Sequence, residues 1–378
     1  MNPKAVLACA ETRSEWIRTS LRDLVRQESP SEDPSAVNAA VTMVEAHART
    51  LDGRIKRHRQ KKFGDILELR FGPARSSRQP ILLLGHLDTV WPMGTLKTMP
   101  WREENGRCYG PGVLDMKAGV IMALAAIDIL RELKLSRPVI LLLNSDEEVG
   151  SDASRPITEK LARESTAVFV LEPAQGLAYK TARKGVGHYL VQVTGIAAHS
   201  GVDFERGHSA ILELAKLIQK ISAFTDLSIG RTVNCGVISG GTRSNVIAQT
   251  AATEVDVRIA KASDAPRVER LFRSLKPTDP HCKLQITGGI NRPPMERKPG
   301  TIAIYKQARR LATELGFDLP EAATGGGSDG NFTAALGIPT LDGMGAIGEG
   351  AHAAHEHIVT QHLVPRTALL AALLATTA

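Results

Sequence analysis

Four short apolar runs, each followed by residues that commonly bind metals, constrain the fold of this chain most strongly. The runs lack the alternation of half-exposed strands, which is typical of strands buried on both faces of a parallel sheet. They cover residues 81–84, 139–143, 168–171 and 338–341. In open α/β sheets, sites form just beyond the carboxyl ends of such strands. The sequence therefore predicts that the polar residues after the four runs converge on one point.

The order of predicted elements indicates two domains, as expected for 378 residues. The middle of the chain has the order β-α-β-β-α-β, which is typical of a ferredoxin-like fold. The flanking segments alternate helices with buried strands, as a doubly wound layer does. We predict an α/β domain with a mixed, mostly parallel sheet from residues 1–178 and 293–378. An α+β domain, residues 179–292, is inserted into it.

The location expected from the sequence is cytoplasmic. No stretch approaches the ~20 apolar residues that span a bilayer. The N-terminus has only a short apolar stretch before Glu11 and Arg13, which is weak for a secretory signal. The four cysteines form no C-x-x-C pair, so reduced, mostly buried thiols are expected rather than a disulfide framework.

The net charge of +7 is concentrated in the predicted insert. Residues 179–292 contain 16 Lys and Arg against 9 Asp and Glu, and the rest of the chain is balanced. Aromatic residues that could stack on bases are few, at 4%. We therefore expect no nucleic-acid partner. A positive potential that attracts a small carboxylate substrate fits the composition better.

The first candidate residues follow the first apolar run and the Gly/Pro-rich segment 109–119. Neutral imidazole is a good zinc ligand, and a nearby carboxylate such as Asp88 commonly fixes the tautomer of a histidine such as His86. A structural histidine is the alternative. Asp115 stands where a loop gives way to an apolar helix, so it is either an N-cap residue or a carboxylate that bridges two metal ions.

Acidic residues also follow the second and third runs. Glu147 and Glu148 are adjacent, and two such carboxylates repel each other unless a positive group compensates or the loop is solvated. Beside a metal, one could ligate the ion while the other takes a proton from water. Glu172 follows the third run. His352 is the first of three histidines in six residues, and the cluster alone does not indicate which of them binds.

These motifs resemble one known family when taken in order. It comprises the two-zinc exopeptidases that include bacterial glutamate carboxypeptidase (carboxypeptidase G type), acetylornithine deacetylase and aminoacylase. The resemblance covers nearly the whole chain. The matching stretches are Gly85–Val90, Gly110–Gly119, Asp146–Ser151, Glu172-Pro173 and Gly350–His352 with Glu356.

The resemblance implies two Zn²⁺ ions per chain, for which Co²⁺ or Mn²⁺ would suit the same ligands. Asp115 would bridge the ions, with a hydroxide held between them. Glu147 would be the general base, and Asp88 would orient His86. The remaining ligands would be His86 and Glu172 on one ion and Glu148 and His352 on the other. His352 is preferred to His355 and His357 because the family places its histidine four residues before a glutamate, here Glu356.

The resemblance extends to the insert, as a dimerisation (lid) domain. His199 would contact the substrate bound in the partner subunit of a homodimer and stabilise the tetrahedral intermediate. The residue type alone would favour an ordinary surface histidine. The resemblance implies five substrate-contacting positions, which are Asn245, Arg258, Arg292, Gly326 and Gly327. An arginine fork suits a terminal carboxylate, although a surface ion pair is the alternative for each arginine.

Three functions are consistent with this pattern. We expect a glutamate carboxypeptidase-like hydrolase that cleaves the amide bond to a C-terminal amino acid with a free carboxylate. An N-acyl amino acid deacylase would use the same residues. A non-catalytic member that binds metabolites or partners belongs to another class, and the complete ligand set with Glu147 argues against it.

Overall fold

The apolar runs lie in one six-stranded sheet of a computed structural model that describes residues 2–377. Its strand order is β1-β2-β6-β3-β7-β14. These strands are β1 (Arg54–His58), β2 (Ile66–Phe71), β3 (Ile81–His86), β6 (Val139–Asn144), β7 (Ala167–Val170) and β14 (Thr340–Leu341). The strands from β6 to β14 are parallel, while β1 and β2 are antiparallel to their neighbours. The predicted mixed, mostly parallel sheet is confirmed.

Helices cover the sheet on both faces because its strands are apolar on both. The helices are α1 (Pro3–Glu11), α2 (Ser14–Arg26), α3 (Pro34–Thr50), α4 (Ala118–Glu132), α5 (Arg155–Arg163), α8 (Pro299–Glu314), α9 (Gly330–Ala335) and α10 (Leu363–Thr376). Helix α4 is buried along most of its length. A Cβ atom at Gly119 would lie 2.1 Å from the Leu171 carbonyl oxygen, so only glycine lets the helix start this close to the end of β7.

Shorter strands complete this part of the chain. An antiparallel sheet of order β15-β16-β5-β4 and a two-stranded pair of β8 and β13 lie outside the main sheet. Their strands are β4 (Arg102–Glu104), β5 (Arg107–Tyr109), β8 (Tyr179–Arg183), β13 (Glu321–Thr324), β15 (Gly348–Glu349) and β16 (His357–Val359). Strand β16 pairs with β5, which joins the segment after the fourth apolar run to the Gly/Pro-rich segment that contains Asp115.

The middle of the chain forms a four-stranded antiparallel sheet of order β10-β11-β9-β12. Its elements are β9 (Gly185–Thr194), α6 (Ala210–Ser222), β10 (Thr232–Gly240), β11 (Thr250–Ile259), α7 (Ala265–Arg273) and β12 (Lys283–Arg292). Tyr189, Val191 and Val193 are buried on one face of β9 and pack with α6 and α7 in a separate core. The predicted β-α-β-β-α-β order is confirmed.

Contacts within the chain separate two units. The smaller unit consists of Arg183–Glu296 and Gly325–Gly327, and the larger unit contains the other described residues. The sequence placed the insert at 179–292, and it did not assign the three glycines to the insert. Among residues 2–377, no helix has the length and apolar content needed to cross a bilayer.

Candidate metal centre

The ends of three parallel strands place the candidate ligands of the larger unit. His86 is the last residue of β3 and is paired in register with Asn144 at the end of β6. Glu147 and Glu148 follow β6 in a short 3₁₀ turn. Glu172 comes two residues after β7. Because parallel strands end at the same edge of a sheet, these residues gather there.

Asp115 lies in an irregular π-helical turn, Val113–Lys117, which precedes α4. The turn begins after Gly112, whose φ of 70° is in the left-handed region. The predicted alternative of a simple N-cap is wrong, because α4 begins three residues later and Lys117 occupies its N-cap position.

One imidazole lies on each side of the Asp115 carboxylate. His86 Nε2 lies 3.3 Å from Asp115 Oδ1 and 3.7 Å from Glu172 Oε1. His352 Nε2 lies 3.4 Å from Asp115 Oδ2 and 3.3 Å from Glu148 Oε2. The two carboxylate oxygens of Asp115 therefore face different histidines, as a bridging ligand requires.

Three buried atoms at this centre make no hydrogen bond within residues 2–377. They are His86 Nε2, Asp115 Oδ1 and Glu148 Oε1. Buried polar atoms are normally paired, so these atoms fit a bound ion. Ligands at about 2.0–2.1 Å from a tetrahedral cation lie about 3.3 Å apart, which matches the separations here. Imidazole with carboxylates suits Zn²⁺, Co²⁺ or Mn²⁺.

The carboxylates shift the pKa of both histidines. Asp115 and Glu148 raise the pKa of His352 to about 10. Burial alone would lower the pKa of His86, but Asp115 and Asp88 outweigh burial and raise it well above its usual value. The centre thus attracts positive charge, and a divalent cation that binds there must displace protons from the imidazoles.

Asp88 contacts both His86 and the acidic turn. His86 Nδ1 lies 2.9 Å from the Asp88 carbonyl oxygen and 3.5 Å from its carboxylate. A proton on Nδ1 leaves Nε2 as the ligand atom. The carboxylate accepts the backbone N–H groups of Glu147 at 3.3 Å and Glu148 at 3.2 Å, and the Ser31 hydroxyl at 2.7 Å. The closest orienting contact to His86 is therefore the Asp88 backbone, while its side chain aligns the acidic turn.

The candidate base and the other histidines also have defined places. Glu147 offers a carboxylate oxygen within 4.8 Å of ligand atoms of His86 and Glu172. His357 is buried against Tyr109, with Nδ1 2.9 Å from the His355 carbonyl oxygen. His355 is exposed. Of the three clustered histidines, His352 is the one placed beside Asp115.

In the smaller unit, two of the predicted residues lie on neighbouring loops. His199 is exposed and forms an antiparallel bridge with Val246. Its Nδ1 accepts the Gly201 N–H at 3.1 Å, which leaves Nε2 as the proton-carrying nitrogen. The backbone carbonyl of Asn245, which is also exposed, accepts the Ser200 N–H at 3.0 Å.

The predicted arginines and glycines differ in their surroundings. Arg258 donates to the Asp256 carboxylate at 2.8–3.1 Å, so its fork already has a carboxylate partner. Arg292 is buried beside Gly327, where a Cβ atom would lie 3.2 Å from Arg292 Cδ. Arg183, which the sequence did not single out, donates to the carbonyls of Gly326 and Gly327 at 3.3 and 3.1 Å.

The sequence also gave no role to two buried groups, Lys117 in the turn that holds Asp115 and Glu356 packed against that turn. Lys117 Nζ donates to the Gln27 carbonyl at 2.7 Å, and burial lowers its pKa to about 7. Glu356 accepts hydrogen bonds from the same turn. The only indication of Glu356 in the sequence was its position four residues after His352.

His86 at the end of β3 and His352 in the loop after β15 lie on either side of the Asp115 carboxylate, an arrangement that suits a metal-binding protein. The chain belongs to Peptidase family M20/M25/M40, whose family model matches residues 82–376. The predicted family is thereby confirmed, and so is the prediction of a hydrolytic enzyme.

Individual relatives span most of the chain. Carboxypeptidase G2 of Pseudomonas sp. (strain RS-16) is 28% identical over 364 residues, covering 93% of this chain and 87% of the relative. Acetylornithine deacetylase of Myxococcus xanthus is 28% identical over 374 residues, covering 94% of this chain and 96% of the relative. The chain is thus a metallo-hydrolase similar to carboxypeptidases and deacylases.

Solved structures share the fold. A tripeptidase from Staphylococcus aureus has a TM-score of 0.80 at 19% identity and covers 96% of this chain and 98% of its own. An M20 family metallo-carboxypeptidase from Sulfolobus solfataricus has a TM-score of 0.75 at 16% identity, with 95% and 98% covered. At these identities the likeness supports the fold alone.

Proposed function

We propose that the enzyme hydrolyses the amide bond to a C-terminal amino acid with a free carboxylate, as a glutamate carboxypeptidase does. The substrate would be a small molecule or short peptide. The observation that carries this proposal is the position of the Asp115 carboxylate, whose Oδ1 lies 3.3 Å from His86 Nε2 and whose Oδ2 lies 3.4 Å from His352 Nε2. The likeness to carboxypeptidase G2 over 93% of the chain supports the choice of bond.

Five residues would hold two divalent cations, Zn²⁺ in the first instance. His86 and Glu172 would bind one, Glu148 and His352 the other, and Asp115 both. Bound cations would polarise the scissile carbonyl and lower the pKa of water to about 7. His86 would keep its Nδ1 proton on the Asp88 carbonyl, 2.9 Å away, so that Nε2 stays available as a ligand.

Glu147 would move the proton. Its carboxylate lies close to the ligand atoms of His86 and Glu172 without being one of the five proposed ligands. It would accept a proton from the attacking water and pass it to the leaving nitrogen, as a general base and then a general acid. The Asp88 carboxylate, which accepts the Glu147 N–H, would hold the turn in place.

Two substitutions distinguish the role of Glu147 as a base from the role of Asp115 as a cation ligand. Glu147→Gln keeps the size of the side chain but removes the base, so turnover should fall by several orders of magnitude while cation content stays at the wild-type level. Asp115→Ala removes a ligand shared by both sites, so cation content and activity should both fall. Metal analysis would measure the cation content, and assays with peptidyl and N-acyl amino acids would measure the turnover. Substantial turnover by Glu147→Gln would reject the base assignment.

N-acyl amino acid deacylation is the second candidate. The observation that favours it is the acetylornithine deacetylase relative, which is also 28% identical and is covered over 96% of its length. The same base and ligands would act on an acyl group instead of a peptidyl group. Faster hydrolysis of N-acetyl amino acids than of glutamyl peptides would favour this candidate.

We further propose a homodimer formed through the smaller unit, with His199 contacting the substrate of the partner subunit. Strand β10 is an edge strand, and Val237 and Ile238 on it are 55% and 63% exposed. Exposed apolar edges commonly mark association surfaces. Asn245, Arg292, Gly326 and Gly327 would contact the substrate. Arg258 would have to exchange its Asp256 partner for a substrate carboxylate.

A further inference from the structure

The Glu356 carboxylate accepts four N–H groups in the buried interior of the larger unit. Its Oε2 atom accepts from the Trp91 indole at 2.7 Å and from the Gly112 backbone at 3.0 Å. Its Oε1 atom accepts from the backbone of Leu114 at 2.8 Å and of Asp115 at 3.1 Å. The residue is 0% exposed, so water does not compete for these bonds.

The four donors and the acceptor belong to the three segments that carry candidate ligands. Trp91 lies five residues after His86. Two backbone donors lie in the turn that presents Asp115, and the third, Gly112, directly precedes that turn. Glu356 itself follows His352 by four residues, and its own N–H donates to the Ala353 carbonyl at 2.8 Å, which closes that loop. One side chain thus connects the segments of His86, Asp115 and His352.

A carboxylate, with two accepting oxygens, satisfies this arrangement. It offers about four lone-pair sites and no donor, whereas an amide of the same size turns an NH₂ group toward at least one N–H donor. A buried N–H that loses its acceptor destabilises the segment that carries it. The Asp115 turn would therefore relax if the carboxylate were replaced.

We propose that Glu356 is a positioning residue, which sets the separation of the Asp115 carboxylate from the His352 imidazole and thereby the affinity for a divalent cation. It acts through Asp115 and His352 and contacts neither substrate nor reacting atoms. The inference rests on the proposed function, because it assumes that Asp115 and His352 hold a cation.

Cobalt binding tests the inference without an activity assay. Metal-free wild type, Glu356→Gln, Glu356→Asp and Glu349→Gln would be titrated with Co²⁺ alone against a competing chelator, and visible absorption recorded. Glu349 is an exposed glutamate at the end of strand β15, which precedes the loop of His352, and serves as the matched control. Changes to groups that orient metal ligands typically weaken binding about 10–100-fold. We expect a loss of that size and an altered absorption band for Glu356→Gln, an intermediate affinity for Glu356→Asp, and wild-type behaviour for Glu349→Gln.

A purely structural role gives a different result. Glu356→Gln would then unfold at a lower temperature in the metal-free form but bind Co²⁺ with wild-type affinity and spectrum, which would overturn the inference. If that variant does not fold, Trp91→Phe keeps an aromatic side chain and removes one donor, and a smaller loss of affinity is expected. Unchanged Co²⁺ binding in Trp91→Phe and Glu356→Asp would then overturn it. Wild-type protein that binds no Co²⁺ would overturn the proposed function as well.

Discussion

At the scale of single residues, backbone conformation decides where Asp115 lies. Gly112 has a φ of 70°, and a Cβ atom there would lie 2.6 Å from Thr89 Cγ2. Gly106 has nearly the same φ, 71°, but a Cβ atom there would meet only Thr360 Oγ1 at 4.0 Å. Alanine at Gly106 therefore has only the energetic cost of a left-handed backbone, whereas alanine at Gly112 also has the cost of a steric clash.

We predict that Gly112→Ala weakens Co²⁺ binding by at least tenfold, because the clash shifts the turn that holds Asp115. Gly106→Ala should lower the free energy of unfolding by about 1–2 kcal/mol, the cost of a left-handed backbone for alanine, and leave Co²⁺ affinity unchanged. Titration with Co²⁺ and thermal unfolding measure the two effects. Equal Co²⁺ affinity in both variants would show that the turn tolerates the methyl group.

At the scale of elements, strand β2 near the edge of the main sheet combines burial with a charged side chain. Strand β2 is buried, yet it carries Glu68 at 5% exposure. Its carboxylate accepts from Arg70 at 2.6 Å and lies 2.8 Å from His58 on β1. Burial alone would raise the pKa of Glu68, but Arg70 and His58 lower it below the usual value.

We predict that Glu68→Gln lowers the free energy of unfolding at pH 7 by about 1–3 kcal/mol. The lowered pKa means that the stabilisation is present above about pH 4.3, the usual pKa of glutamate, and is lost as the pH falls through the folded-state value. The difference in free energy of unfolding between wild type and variant should therefore decrease at acidic pH. Denaturant unfolding at several pH values measures it.

Glu164→Gln is the matched control, because Glu164 binds the same Arg70 at 2.9 Å but has a 37% exposed side chain. Exposed ion pairs contribute about 0–1 kcal/mol. Equal destabilisation by the two substitutions would contradict the importance of burial at Glu68.

Helix and strand positions followed largely from the sequence, but their ends did not. The fourth apolar run, 338–341, forms only the two-residue strand Thr340–Leu341. Pro339 has no N–H to donate to a neighbouring strand, which accounts for the late start. Helix α4 begins at Ala118, after a turn whose shape depends on hydrogen bonds to Glu356. A partner more than 200 residues away cannot be read from local periodicity.

At the scale of the whole molecule, the smaller unit has what an independent domain needs. It has its own core. Its two chain ends meet, because Arg183 and Met295 exchange backbone hydrogen bonds of 2.9 and 3.0 Å.

We predict that residues 183–296 expressed alone fold cooperatively, with a sigmoidal denaturant transition by circular dichroism. Leu214, which is buried under the sheet, supplies a test: Leu214→Ala should lower its stability by about 2–5 kcal/mol. Leu212→Ala, at a 60% exposed position of the same helix, is the control. A gradual transition, or equal effects of the two substitutions, would contradict independent folding.

The proposed assembly gives a second prediction at this scale. The full chain should sediment as a dimer, and His199→Ala should lower kcat by at least tenfold with unchanged cation content. Val237→Lys on the edge strand β10 should shift the protein toward monomer by placing a charge in the proposed contact. A fully active monomer would eliminate the contribution of His199 to the partner subunit.

The sequence by itself determined the fold class, the order of elements and which polar residues follow buried strands. Those features are local: apolar periodicity and strand-end chemistry are written in adjacent residues. The tertiary structure decided that Asp88 also holds the acidic turn and that Glu356 connects three segments. These depend on hydrogen bonds between residues distant along the chain, and no local pattern specifies them.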